Sequence, residues 1–209
     1  MDSIQVDVSG PTVWVKVEGK GSFLNSGKLK EFAREMLDRG YREFVVDLAD
    51  CSMLDSTFMG TMATVALQLK ELGQGCLRVV HCTNRCQELL SELRLDQILD
   101  IRPDGASPSE SGWLERSLGI QSPKDQKREQ RETMLEAYEA LCEAAPENTP
   151  RFKNILDSLR QDLHQLAPDT LRLPPKRLYD GALDANSSVA PCFSECPNQN
   201  RPRDRVDEN

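Results

Sequence analysis

Apolar and polar residues alternate from the first turn of the chain onward. Ile4, Val6 and Val8 are separated by Gln5 and Asp7, the pattern of a half-buried strand. Gly10-Pro11 marks a turn, and Val13, Val15 and Val17 alternate again, which predicts a β-hairpin. The period then lengthens. Leu29, Phe32, Ala33, Met36 and Leu37 recur at spacings of three and four, so a helix is expected from a cap at Asn25 or Ser26 to Asp38, with Gly40 as its stop. Phe44-Val45-Val46-Asp47-Leu48 is a short apolar run, consistent with a strand covered on both faces. A second helix is expected from Asp55 or Ser56 to about Leu72, closed by Gly73 and Gly75. Cys76–His81 reads as another buried strand, Arg85–Leu93 as a short helix, and Ile98–Ile101 as an edge strand that Pro103 breaks. The order β-β-α-β-α-β-α-β calls for an α/β fold with a mostly parallel sheet covered by helices, because parallel strands need crossover connections.

After this point the pattern changes. Pro11 alone precedes Pro103 among the 12 prolines, and the strong β-type runs all lie in the first half. Residues 104–122, rich in Ser, Gly and Pro with Trp113 and Leu118 as isolated anchors, read as a linker. A charged helix is expected from about Lys124 to Ala144, with Met134, Leu135, Tyr138, Leu141 and Cys142 in one stripe and Pro146 as its end. A second, about Arg151–Leu166, carries Phe152, Ile155, Leu156, Leu159, Leu163 and Leu166 on one face. Together they predict a helical hairpin. It can dock back on the sheet, pair two chains as a homodimer, or engage a separate partner. From Pro168 onward, few apolar residues and frequent Pro, Asn and Asp predict disorder. The expected division is therefore a domain at 1–103, a linker at 104–122, a helical appendage at 123–167 and a tail at 168–209.

Charge narrows the partners. The net charge is −8 and both halves are acidic, which disfavours phosphate backbones and anionic lipid; no nucleic-acid partner is expected. No apolar stretch approaches the roughly 18–20 residues of a membrane span. The first residues lack a signal-peptide layout, so a cytoplasmic location with reduced thiols is expected. Seven cysteines, an odd number, argue against a closed disulfide framework. The pairs Cys82/Cys86 and Cys192/Cys196 read as chance spacing rather than a metal site, and His81 and His164 each stand alone in the sequence. No paired acids, nucleophile–base set or Gly-rich phosphate loop recurs at useful spacing. The expectation is a non-enzymatic protein with no cofactor and no metal.

The sharpest signal is the segment Val45-Val46-Asp47-Leu48-Ala49-Asp50-Cys51-Ser52-Met53-Leu54-Asp55-Ser56-Thr57-Phe58-Met59-Gly60, where a buried strand leads through a loop into an apolar helix. Unpaired N–H groups and the dipole at a helix N-terminus favour negative charge, so a serine there is suited to carry a phosphoryl group. Taken alone, Asp55 and Ser56 are also ordinary N-caps, and Gly60 an ordinary means of close helix packing. The segment resembles the signature of STAS domains, specifically bacterial anti-anti-sigma factors, in which Asp-Ser-Ser/Thr-x-Leu/Met-Gly follows such a strand. Flanking elements, through Leu95-Asp96-Gln97-Ile98, extend the resemblance over about residues 4–102. It implies four or five strands with helices on one side, and a two-state switch. An unphosphorylated domain of this kind binds an anti-sigma serine kinase; phosphorylation at the position of Ser56 releases it, and a metal-dependent phosphatase of the PP2C type reverses the change. By that resemblance Asp50, Asp55, Ser56, Thr57 and Phe58 would form the partner contact. Phe58 departs from the pattern, standing where many members have glycine or another small residue; it is expected to fill the core or to stand out as a contact. The alternative is an adaptor in a larger assembly, stressosome-like or lipid-transporting, whose serine is never modified.

Overall fold

A computed structural model describes residues 2–73, 75–102, 114–115 and 123–166. Strands β1 (Ser3–Ser9) and β2 (Thr12–Gly21) form the expected antiparallel hairpin, with Ile4 opposite Val17 and Val6 opposite Val15. Helix α1 (Phe23–Asp38) leads to β3 (Glu43–Asp47), which joins β2 in parallel. Strand β4 (Cys51–Leu54) precedes helix α2 (Ser56–Glu71), and β5 (Cys76–Val80) then adds in parallel to β3. Helix α3 (Asn84–Glu92) and a 3-10 turn at Leu95–Gln97 connect to β6 (Asp100–Arg102), again parallel. The strand order is β6-β5-β3-β2-β1, extended by β7 (Leu114–Glu115) antiparallel to β1, with β4 paired to the end of β2. This is the α/β arrangement with a mostly parallel sheet that the order of elements in the sequence predicts.

Three local differences from the sequence expectation have physical causes. Helix α1 starts at Phe23 because Ser22, not Asn25 or Ser26, is its N-cap. Asn25 instead turns back, its side-chain oxygen accepting from the Ser22 N–H at 2.8 Å, and the Ser26 hydroxyl donates to the Ser22 carbonyl. Strand β4 has no alternating pattern to betray it; among the described residues it pairs with Gly19–Gly21 of β2, across a register shift. In the expected linker, Leu114 and Glu115 pair with Val6 and Gln5; its remaining residues, and the expected tail, lie outside the described residues.

Helices α4 (Pro123–Ala144) and α5 (Thr149–Leu166) form the hairpin, joined by a 3-10 turn at Pro146–Asn148. They dock on the rest of the chain. Tyr138, Leu141, Phe152, Leu156 and Leu159 belong to the same buried core as Val15, Phe44 and Leu77. Helix α4 lies along α2 and touches α1, while α2 also meets β5. Enclosure from both sides explains why α2 is apolar nearly all round, with Phe58, Met59, Met62, Ala63, Val65, Ala66 and Leu69 buried. The joint is polar and satisfied: the buried Asn148 amide donates to the Leu93 and Leu141 carbonyls at 3.0 and 2.9 Å. Much of each stripe is thereby used inside the chain, while Ile155 of α5 stays exposed. Among the described residues no helix is long and apolar enough to cross a membrane.

Candidate functional site

The segment singled out in the sequence surrounds the start of α2. Asp55 is the N-cap, and both of its carboxylate oxygens are used. Oδ1 accepts from the Phe58 N–H and Oδ2 from the Phe23 N–H, each at 2.8 Å, while the Asp55 N–H donates to the Gly21 carbonyl. One carboxylate thus caps α2 and ties it to the first residue of α1. Ser56, the first helical residue, is half-buried. Its hydroxyl shares a 2.8 Å hydrogen bond with the phenol of Tyr138 on α4.

The next two residues turn inward. Thr57 is buried, and the Phe58 ring is fully buried. Gly21 makes room for that ring, since a Cβ there would come within 3.0 Å of Phe58 and 2.6 Å of Leu54. Phe58 therefore fills the core, and neither Thr57 nor Phe58 presents a side chain to an external protein in this conformation. Asp50 is exposed in the β3–β4 turn, about one strand away from Ser56 in sequence, and its carboxylate pairs with Lys16 at 2.8 Å. That contact, with burial opposing it and Glu18 adding to it, holds the Lys16 ammonium above its ordinary pKa.

Sequence reasoning missed what borders Ser56. Phe23 and Leu24 at the start of α1, and Met53 in β4, are large apolar side chains left exposed. The Phe23–Asp55 hydrogen bond and the pairing of Met53 with Lys20 bring their backbones to the same end of the molecule as Ser56. A signal existed: Phe23 and Leu24 precede the periodic stripe of α1 without belonging to it. Tyr138 could not be found in this way, because 82 residues separate it from Ser56.

A second cluster joins residues the sequence left separate. Cys51, Cys82 and Cys86 are buried together where β4, the end of β5 and the first turn of α3 meet. Hydrogen bonding to Cys51 and Cys82 holds the Cys86 thiol far below its usual pKa, with burial opposing. The same contact to Cys86, followed by burial, pushes Cys51 and Cys82 up. The five cysteines among the described residues form no disulfide, and no group of three or more His, Cys, Asp or Glu there is arranged to hold a metal ion. His81 is not alone in the fold. Its Nδ1 lies 2.9 Å from Oδ1 of the buried Asp47, and His81 itself has a left-handed backbone, with φ of 52°.

No protein-family model matches the chain, and no curated protein matches it. Among solved structures it is similar to a Thermotoga maritima protein, TM1081, described as a candidate anti-sigma factor antagonist. The identity is 21% over 46% of this chain and 82% of that one, with a TM-score of 0.43. The NMR structure of TM1081 gives 20% identity over 46% and 78% of the two chains, with a TM-score of 0.43. The anti-sigma factor antagonist SpoIIAA in its unphosphorylated form is 11% identical over 43% of this chain and 82% of its own, with a TM-score of 0.39.

Proposed function

We propose that this chain is an anti-sigma factor antagonist-like regulator, a binding protein rather than an enzyme, acting in the cytoplasm and switched by phosphorylation at Ser56. The placement of Ser56 is the observation that carries the reading. It is the first residue of α2, half-buried, beside a carboxylate whose oxygens are already committed to backbone N–H groups. A partner, in this reading an anti-sigma serine kinase, would meet Ser56, Asp55 and the exposed Phe23, Leu24 and Met53; Asp50 lies at the margin of that face. Apolar side chains of this size are what interface cores are made of. In phosphotransfer the Ser56 O–H bond breaks and an Oγ–P bond forms, while the terminal phosphorus of the nucleoside triphosphate parts from its diphosphate and the proton passes to a base of the kinase. The product carries about −1.5 to −2 charges next to Asp55, which repels an apolar or acidic contact. A PP2C-type phosphatase would restore the hydroxyl.

The adaptor reading, in which Ser56 stays unmodified within a larger assembly, is favoured by one observation: the Ser56 hydroxyl already has a structural partner in Tyr138. Intact mass of the protein purified from its native cells, before and after phosphatase, separates the two. A removable increment of about 80 Da mapped to Ser56 is the result expected of a switch. Its absence in every growth state would refute the switch and leave the adaptor.

A further inference from the structure

The Ser56–Tyr138 contact joins the proposed switch to a part of the chain that lies outside the STAS resemblance. We propose that helices α4 and α5 form an intramolecular cap over Ser56, so that its hydroxyl becomes reactive only when α4 lifts away from α2. The proposal rests on the reading of Ser56 as phosphoacceptor.

The atom that must attack phosphorus is already engaged. Tyr138 Oη stands 2.8 Å from Ser56 Oγ, and the tyrosine is itself 6% exposed, so the phenol fills one approach to the hydroxyl. Tyr138 is not free to swing aside. Its ring packs on Phe152 of α5 at 5.0 Å between centroids, and Ala137, the residue before it, is pressed against α2. At Gly60, one turn beyond Ser56, the two helices approach so closely that a Cβ would overlap the Ala137 carbonyl oxygen and lie 2.7 Å from its carbon. Glu136 is held by Lys30 of α1 at 2.6 Å, and Leu141 is fully buried one turn on. Uncovering Ser56 therefore means moving a length of α4 rather than one side chain.

The converse follows from the same geometry. A phosphoryl group on Ser56 Oγ would crowd the Tyr138 hydroxyl that stands 2.8 Å away, and its charge would lie beside Asp55. Modification and closure exclude each other, and linkage makes the exclusion reciprocal: what loosens the hairpin promotes modification, and modification loosens the hairpin.

Alkylation of a cysteine placed at the site tests the cap without any kinase. In the full chain carrying Ser56→Cys, iodoacetamide labelling at position 56, resolved by mass spectrometry, is expected to be slow. Adding Tyr138→Ala should accelerate it about tenfold or more, since opening is then no longer opposed by the aromatic contact. Gly60→Ala, which forces α4 back without removing the tyrosine, should act in the same direction and serves if Tyr138→Ala fails to fold by circular dichroism. Equal rates in all three folded proteins, or a rate in Ser56→Cys alone matching that in guanidinium, would overturn the cap. Because labelling is independent of phosphate, an accelerated rate supports the cap even if Ser56 proves unphosphorylated in cells, which would sink only the switch.

Discussion

Gly60→Ala has an outcome whose sign depends on one helix contact. In an exposed helix, replacing glycine by alanine stabilises by about 1 kcal/mol, because glycine loses the most backbone freedom on folding. At Gly60 the new methyl would overlap the Ala137 carbonyl oxygen and lie 2.7 and 2.8 Å from its carbonyl carbon and Cβ. Two of these three atoms are backbone, so no rotamer change relieves the overlap and α4 must shift. Overpacking of this kind costs about 1–3 kcal/mol, and the rigid neighbour puts the expected cost near the upper end. The net expectation is a loss of about 2 kcal/mol, or a fall in Tm of roughly 4–8 °C for a chain of this size. Gly27 in α1 is the control, since a Cβ there meets nothing within 4 Å; Gly27→Ala should gain up to about 1 kcal/mol. Urea unfolding followed by circular dichroism measures both. If Gly60→Ala stabilises the protein as Gly27→Ala does, the close approach of α4 to α2 does not exist in solution, and the masking of Ser56 goes with it.

Leu141 is fully buried in α4, so Leu141→Ala should cost about 2–5 kcal/mol by denaturant unfolding; a cost under about 1 kcal/mol would mean the hairpin is not packed. Replacing Leu156 and Leu159 by Asp should destabilise by several kcal/mol, read as a lowered denaturant midpoint, because each would place a carboxylate in the core. Ser56→Asp should weaken binding to a cognate kinase by at least about tenfold in a titration while Ser56→Ala retains it; equal affinities of folded proteins would contradict the switch. Burial raises the Asp100 pKa, but hydrogen bonds and charge from Arg102 and Arg78 outweigh it and hold the carboxyl below its ordinary 3.8. The unfolded chain then takes up the proton first as pH falls, so this stabilisation is present above 3.8 and is lost below it. Asp100→Asn should flatten the fall in Tm between about pH 5 and 3, and an unchanged slope would count against the pairing.

The sheet and its helices were legible in the sequence because local periodicity carries them. Alternation at Val13, Val15 and Val17 and helical spacing at Leu29, Phe32, Ala33 and Met36 each reflect one face meeting one core. The Asp55-Ser56 turn was legible for a related reason, since capping is a matter of a few adjacent residues. Features made by contacts between distant segments were not. Strand β4 exists because Cys51–Leu54 finds the end of β2, and its own four residues show no pattern. Cys51, Cys82 and Cys86, and likewise Asp47 and His81, meet only because parallel strands bring one end of each connection together. The apolar stripe of α4 told that it would be buried but not against what, since a dimer, a partner and the chain's own α2 would all satisfy the same stripe. Gly60 settles the choice in the fold: its missing Cβ admits the backbone of Ala137, and that approach sets the Tyr138 phenol on Ser56. A hydrophobic stripe specifies burial without direction, so the covering of Ser56 was decided by shape complementarity between two helices, which exists only once both are in place.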